Sequence, residues 1–88
     1  MQAIDRKKFK AQAHTLNPVV MIGQAGLTGA VLAEIELALN SHELIKIRIR
    51  AEREERKTLS EKICQDTGAE LIQSIGQIIV IYRLKPKN

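Results

Sequence analysis

Apolar residues near the start of the chain recur at helical spacing. Phe9, Ala13 and Leu16 fall on one face of a helix, while basic residues lie on another. We expect this first helix to begin at an N-cap, Asp5, and to run to about His14, before the proline that follows.

Two further helices are predicted by the same pattern. Thr28 is a suitable N-cap for the second helix, which we expect to end around residues 40–42. The third follows a run of mixed charges at residues 52–57, which pairs such as Glu52–Arg56 can balance. Gly68 is a suitable residue to end that third helix.

Four short segments have the pattern of β-strands. They are residues 19–22, 44–50, 70–75 and 78–83. In the second strand, isoleucines alternate with basic residues, the period of a strand that is buried on one face only. The fourth is apolar on both faces, so we expect it to be central in the sheet, joined to the third by a turn at residues 76–77.

The predicted order is therefore α-β-α-β-α-β-β. This is an α/β fold, more closely an α+β two-layer sandwich with a four-stranded mixed sheet. Right-handed crossovers place the second and third helices on one side of the sheet. The other side carries Lys46, Arg48 and Arg50, unless the first helix covers part of it. We expect residues 1–88 to form a single domain.

Charge and aromatic content narrow the possible functions. The chain has 14 Lys and Arg against 10 Asp and Glu, a net charge of +4. Phe9 and Tyr82 are its only aromatic residues apart from histidine. Modules that read single-stranded nucleic acid by stacking bases need several exposed aromatic side chains. If this chain binds nucleic acid, we expect it to work mainly through phosphate contacts.

Residues suited to metal binding or covalent catalysis are few and scattered. His14, His42 and Cys64 are too far apart in sequence to suggest a metal site, which needs about three or four clustered ligands. Cys64 stands beside an isoleucine and is expected to fill core space. We therefore expect no metal, no cofactor and no enzymatic activity.

The sequence also predicts the cellular compartment of the protein. A single cysteine excludes an internal disulfide and fits a reducing compartment. No apolar run approaches the ~20 residues of a membrane span, and residues 1–5 do not resemble a signal peptide. We expect a cytoplasmic protein.

Three segments resemble a known family. Residues 16–28 (LNPVVMIGQAGLT) resemble the L-x-P, hydrophobic strand, GxxG, L-T signature of the CRM domain (chloroplast RNA splicing and ribosome maturation). Residues 43–48 and 75–83 agree in the family's order, and the chain is most similar to its stand-alone bacterial, YhbY-type members. The resemblance implies an RNA-binding domain that associates with precursors of the large ribosomal subunit. It also implies a fold like the C-terminal domain of bacterial translation initiation factor three, with the fourth strand antiparallel between the second and third.

The GxxG loop, formed by Gly23, Gln24, Ala25 and Gly26, is a candidate phosphate site. Its glycines allow close backbone approach, and it precedes a helix N-terminus at Thr28, where unpaired N–H groups favour an anion. From the spacing alone a plain strand-to-helix turn is the simpler interpretation. The resemblance instead implies contact with an RNA backbone. Many relatives carry a lysine or arginine between the glycines, so here the charge must come from elsewhere.

Two basic clusters could supply that charge. The helix cluster consists of Arg6, Lys7 and Lys10, and the strand cluster of Lys46, Arg48 and Arg50. Each could also be an ordinary solvated surface. Like charges on one strand face repel one another unless a partner neutralises them, which favours a bound anion at the strand cluster.

These observations predict a non-enzymatic, monomeric RNA-binding protein that acts in large-subunit assembly. In this hypothesis the GxxG loop and the second helix N-terminus cradle an rRNA backbone, and specificity comes from RNA shape. The alternative is a protein-interaction module that docks on a ribosomal protein or assembly factor through Glu34, Glu36 and Glu43 or an exposed sheet edge. An enzyme acting on RNA has no residue to support it.

Overall fold

The order of helices and strands along the chain is the one predicted. A computed structural model describes residues 3–85. Within that range the elements are α1 (Ala3–Ala13), β1 (Pro18–Ile22), α2 (Gly29–His42), β2 (Leu44–Ile49), α3 (Arg53–Thr67), β3 (Glu70–Ile75) and β4 (Ile78–Tyr82).

The four strands form one mixed sheet in the order β1-β2-β4-β3. β1 and β2 are parallel, and β4 is antiparallel to both of its neighbours. Ile79, Val80 and Ile81 of β4 are all buried, because this strand has a neighbour on each side and covered faces. The prediction that the all-apolar fourth strand is central is confirmed, as is the fold class.

The main core lies between the sheet and two helices, α2 and α3. Ile47 and Ile81 of the sheet pack with Ile35 of α2 and Ile63 of α3, and each of the four is fully buried. Both crossover helices thus lie on one side of the sheet, as right-handed connections require.

The first helix covers part of the opposite face. Ala13 of α1 is buried against Leu44 and Val80, and the Phe9 ring stacks on Tyr82 with centroids 4.2 Å apart. The rest of that face, towards the β3–β4 turn, is uncovered, and Ile75 there is 62% exposed. We call this uncovered part the open sheet face.

Three details at the ends of elements differ from the predictions. Asp5 is not an N-cap, because α1 begins at Ala3 and the Asp5 carboxylate lies in its first turn. Leu16 is exposed and lies outside α1, since the chain turns after Ala13 and must be extended before a proline. β2 ends at Ile49, so that Arg50 follows the strand rather than closing it.

Two predicted helix ends are confirmed. The Thr28 hydroxyl accepts a hydrogen bond from the Val31 N–H at 3.2 Å, which makes Thr28 the N-cap of α2. Gly68 ends α3 in the left-handed conformation, with φ of +73°. Thr28 therefore marks the boundary between the segment that contains the GxxG loop and α2.

Candidate functional site

The open sheet face carries a row of side chains that crosses all four strands. Met21, Arg48, Ile78 and Ile75 are register partners along this row, from β1 through β2 and β4 to β3. Arg48 is half-buried in the row, whereas Met21 is 53% exposed. The face therefore presents a cation among aliphatic side chains.

A groove of about 440 Å³ runs between α1 and this face, and we call it the sheet groove. Lys10 of α1 and His14, which follows the helix, form one side, and Lys46 of β2 lies opposite among the strand residues. Aliphatic side chains line the rest, including Ile75, Ile78 and Val80. The fold thus brings one lysine of the predicted helix cluster and one of the predicted strand cluster to the same groove.

The charge around the sheet groove is unbalanced. No carboxylate lines it among the residues that the structure describes. Within residues 3–85, the side chains of Lys10, Lys46 and Arg48 make no ion pair. Lys46 and Arg48 lie on the same side of β2, separated by about 7 Å along the strand. Three uncompensated cations in this arrangement attract an anion such as a phosphate.

The GxxG loop is a tight turn with exposed amides. The Gly26 N–H donates to the Gly23 carbonyl at 3.1 Å, and Gly26 has a φ of +74°, which other residues rarely adopt. The N–H groups of Gly29 and Ala30, in the first turn of α2, have no acceptor within the described part of the chain. These groups and the helix dipole favour an anion in front of the loop.

The loop lies at the same end of the sheet as the strand cluster. The Arg50 N–H donates to the Ile22 carbonyl at 2.9 Å, which joins the start of the loop to the end of β2. The β3–β4 turn is at this end too, since the Ile49 N–H donates to the Gln77 carbonyl at 2.7 Å. Arg50 lies four positions after Lys46, which in extended chain is a span of about 13 Å. Basic side chains therefore lead from the sheet groove to the GxxG loop.

The other two residues of the helix cluster have different surroundings. The Arg6 guanidinium donates to the Leu71 carbonyl of β3 and so ties α1 to the sheet. A guanidinium has five N–H donors, so this contact leaves others for a ligand. Lys7 is exposed on α1, three residues before Lys10, which places the two on neighbouring positions of the helix surface.

Comparison with known proteins identifies the family. Residues 1–83 match the profile of the CRS1/YhbY (CRM) domain. The chain belongs to the CRM domain family. It is 46% identical over 83 residues to a probable RNA-binding protein of Pseudomonas aeruginosa, a match that covers 93% of this chain and 80% of the relative. It is 52% identical over 80 residues to an RNA-binding protein of Haemophilus influenzae, covering 89% of this chain and 81% of the relative.

A solved structure agrees with the fold of this CRM chain. The solution structure of a hypothetical Staphylococcus aureus protein, described as an RNA-binding candidate, superimposes with a TM-score of 0.86 at 30% sequence identity. The superposition covers all of this chain and 93% of that one.

The structure also contains a second groove, which the sequence did not predict. It lies between α3 and β3, and the basic residues that line it are Arg53, Arg56 and Lys57. Glu54 and Glu61 line it too, so its charge is mixed. The sequence predicted a self-balancing charge run here, and the Arg56 guanidinium in fact donates to the Ala51 carbonyl at 2.7 Å. This groove is a weaker site for an anion than the sheet groove.

The acidic residues of the alternative hypothesis are largely engaged within the chain. The Glu36 carboxylate accepts a hydrogen bond from Arg83 at 2.8 Å, and Glu43 accepts one from the Lys85 N–H at 2.9 Å. Glu34 is exposed at a shallow hollow beside Leu37. The three carboxylates therefore do not form one free acidic surface.

Residues with potential metal or covalent chemistry do not converge in the described part of this CRM chain. Residues 3–85 contain no group of three or more His, Cys, Asp or Glu side chains that could hold a metal ion. No helix in that range is long and apolar enough to cross a membrane. Cys64 packs against the main core, and burial raises the pKa of its thiol, as does the nearby Glu70 carboxylate. The thiol is thus a weak nucleophile at neutral pH.

Proposed function

We propose that this chain is a non-enzymatic RNA-binding protein that binds rRNA in precursors of the large ribosomal subunit and assists their assembly. RNA would lie across the open sheet face and the GxxG loop. The proposal treats residues 1–88 as one RNA-binding domain, active as a monomer in the cytoplasm. Relatives at 46% and 52% identity that are named for RNA binding support the ligand class.

The observation that carries the proposal is the convergence of cations on one face. Lys10 comes from α1, and Lys46 and Arg48 come from β2. Among residues 3–85, no carboxylate lines the groove that Lys10 and Lys46 share. Phosphates along an RNA backbone are the anions whose repeated spacing suits a track of basic side chains. Arg50 extends this track towards the GxxG loop.

The GxxG loop would hold the backbone at the end of that track. Its residues Gln24 and Ala25 are exposed and carry no charge, so the loop offers only amides. The N–H groups of Gly29 and Ala30 in the α2 first turn add donors and the positive end of the helix dipole. The loop would thus fix the position of a phosphate, while the basic side chains supply most of the attraction.

The experiment that tests this function is sedimentation of the tagged protein from lysate through a sucrose gradient. RNA crosslinked to the protein is then recovered from each fraction and sequenced. We expect the protein to migrate with large-subunit precursors and to crosslink to a few sites in their rRNA. Crosslinks spread over all RNAs would indicate a general phosphate binder, and migration at the top of the gradient without crosslinks would refute the proposal.

Nuclease treatment separates the proposal from the protein-interaction alternative. If rRNA holds the protein on the particle, digestion of exposed RNA before the gradient should release it. Association that survives digestion would favour a ribosomal protein or assembly factor as the partner. The engagement of Glu36 by Arg83 and of Glu43 by the Lys85 N–H favours the RNA over that alternative.

A further inference from the structure

The lining of the sheet groove differs from that of a surface that contacts phosphates alone. A track for a backbone needs only cations and donors, whereas most of the accessible lining of this groove is apolar. Ile75, Ile78 and Val80 lie along the strands, and Ala11 and Ala13 lie on α1. An apolar concave surface with a few polar groups at its edge is the usual form of a site for a small organic group.

Polar groups at the edge of the groove are available to a ligand. The side chains of Gln73 and His14 line the groove, and within residues 3–85 neither makes a hydrogen bond. The Gln73 amide can both donate and accept, as a partner for the edge of a nucleobase must. The lysines Lys10 and Lys46 lie around the same groove and can hold the phosphates on either side of a base.

From these contacts we infer that the sheet groove holds an unpaired nucleobase of the bound RNA. The aliphatic side chains cover the faces of the base, Gln73 hydrogen-bonds its edge, and the lysines bind the adjoining phosphates. The inference rests on the proposed RNA-binding function and adds the class of RNA, one with an unpaired or extruded nucleotide. Phe9 and Tyr82 are not part of the site, since they stack on each other beneath α1.

The test compares two RNA hairpins that differ only in their bases. One has a loop of unpaired uridines, and the other has abasic riboses at the same loop positions, so that both carry the same phosphates. Affinities of the full chain are measured by fluorescence anisotropy at low salt. We expect the uridine hairpin to bind about fivefold more tightly, as burial of part of one base predicts.

Two matched variants locate the base. Ile75→Ser shortens an exposed wall of the groove, and Leu37→Ser makes the same change at a residue of α2 that is 71% exposed and remote from it. We expect Ile75→Ser to lose most of the preference for the uridine hairpin, with unchanged affinity for the abasic one. Leu37→Ser should behave as wild type. A Gln73→Leu variant should lower affinity for the uridine hairpin only.

The possible failures are distinguishable. If wild-type protein binds the two hairpins equally well, the protein does not use a base and the inference is wrong, while the proposed RNA-binding function stands. If Ile75→Ser and Leu37→Ser reduce the preference equally, the base does not lie in the sheet groove. If neither hairpin binds, both the inference and the proposed function are wrong.

Discussion

The Phe9 ring of α1 stacks on the Tyr82 ring of β4, with centroids 4.2 Å apart and planes inclined by 22°. The contact has two consequences for function. It holds α1 against one part of the sheet, which leaves the sheet groove between Lys10 and Lys46. It also engages the two aromatic side chains that could otherwise stack on RNA bases.

The first prediction concerns this aromatic pair. Phe9→Ala should lower the free energy of unfolding by about 2 kcal/mol, because a half-buried ring and its stacking contact are lost. Lys10 lies on the same helix and His14 directly follows it, so affinity for RNA should fall as well. Urea denaturation and anisotropy titration measure the two effects. Unchanged stability in Phe9→Ala would mean that the stack does not hold α1 in place.

The GxxG loop gives a second prediction, from two glycines with different backbones. A Cβ at either Gly23 or Gly26 meets no atom within 4 Å, but only Gly26 has a positive φ. Gly26→Val should therefore cost about 1–2 kcal/mol of stability, whereas Gly23→Val should leave stability nearly unchanged. Both variants should remain folded by circular dichroism and bind RNA more weakly, because a side chain keeps the backbone away from a phosphate. Wild-type affinity in folded Gly23→Val and Gly26→Val would exclude the loop from the mechanism.

Cys64 supports a prediction about pH. Burial raises the pKa of its thiol, and the Glu70 carboxylate raises it further. The folded state then holds the proton more tightly than the unfolded state, so stability is lost as pH rises past the ordinary thiol pKa of 9.0. Between about pH 7.5 and about pH 9.5, wild type should lose more stability than Cys64→Ala in urea denaturation. If the two proteins differ in the free energy of unfolding by the same amount at every pH in this range, the pKa of the Cys64 thiol is not raised in the folded state.

Most of the sheet could be predicted from the sequence, because the burial of each strand follows the pattern of apolar and polar residues along it. Isoleucines at alternate positions of β2 are buried and the intervening Lys46 and Arg48 are not fully covered, which is the pattern of a strand with one apolar face. β4 is apolar on both faces and lies between two strands. The apolar pattern of each strand is a local property, carried by residues that are near each other in the chain.

The sheet groove could not be predicted in the same way. Its two sides come from α1 and from strands much further along the chain, and the sequence left open whether α1 covers the basic face at all. What decides its position is the contact of Phe9 with Tyr82 and of Arg6 with the Leu71 carbonyl. His14 and Gln73 therefore gain their place at a candidate site only through tertiary packing.

The salt dependence of RNA binding tests the central claim, that the basic face contacts the RNA backbone. The double variant Lys46→Glu/Arg48→Glu is compared with wild type and with Lys62→Glu, a control on α3 whose amine lies 3.5 Å from Asp66. Affinity for the uridine hairpin is measured over a range of salt concentrations. The slope of log K against log salt is negative for a protein that binds phosphates. We expect its magnitude to decrease by about 2 in the double variant and to remain at the wild-type value in the control. A wild-type slope in the double variant would show that the face is not used.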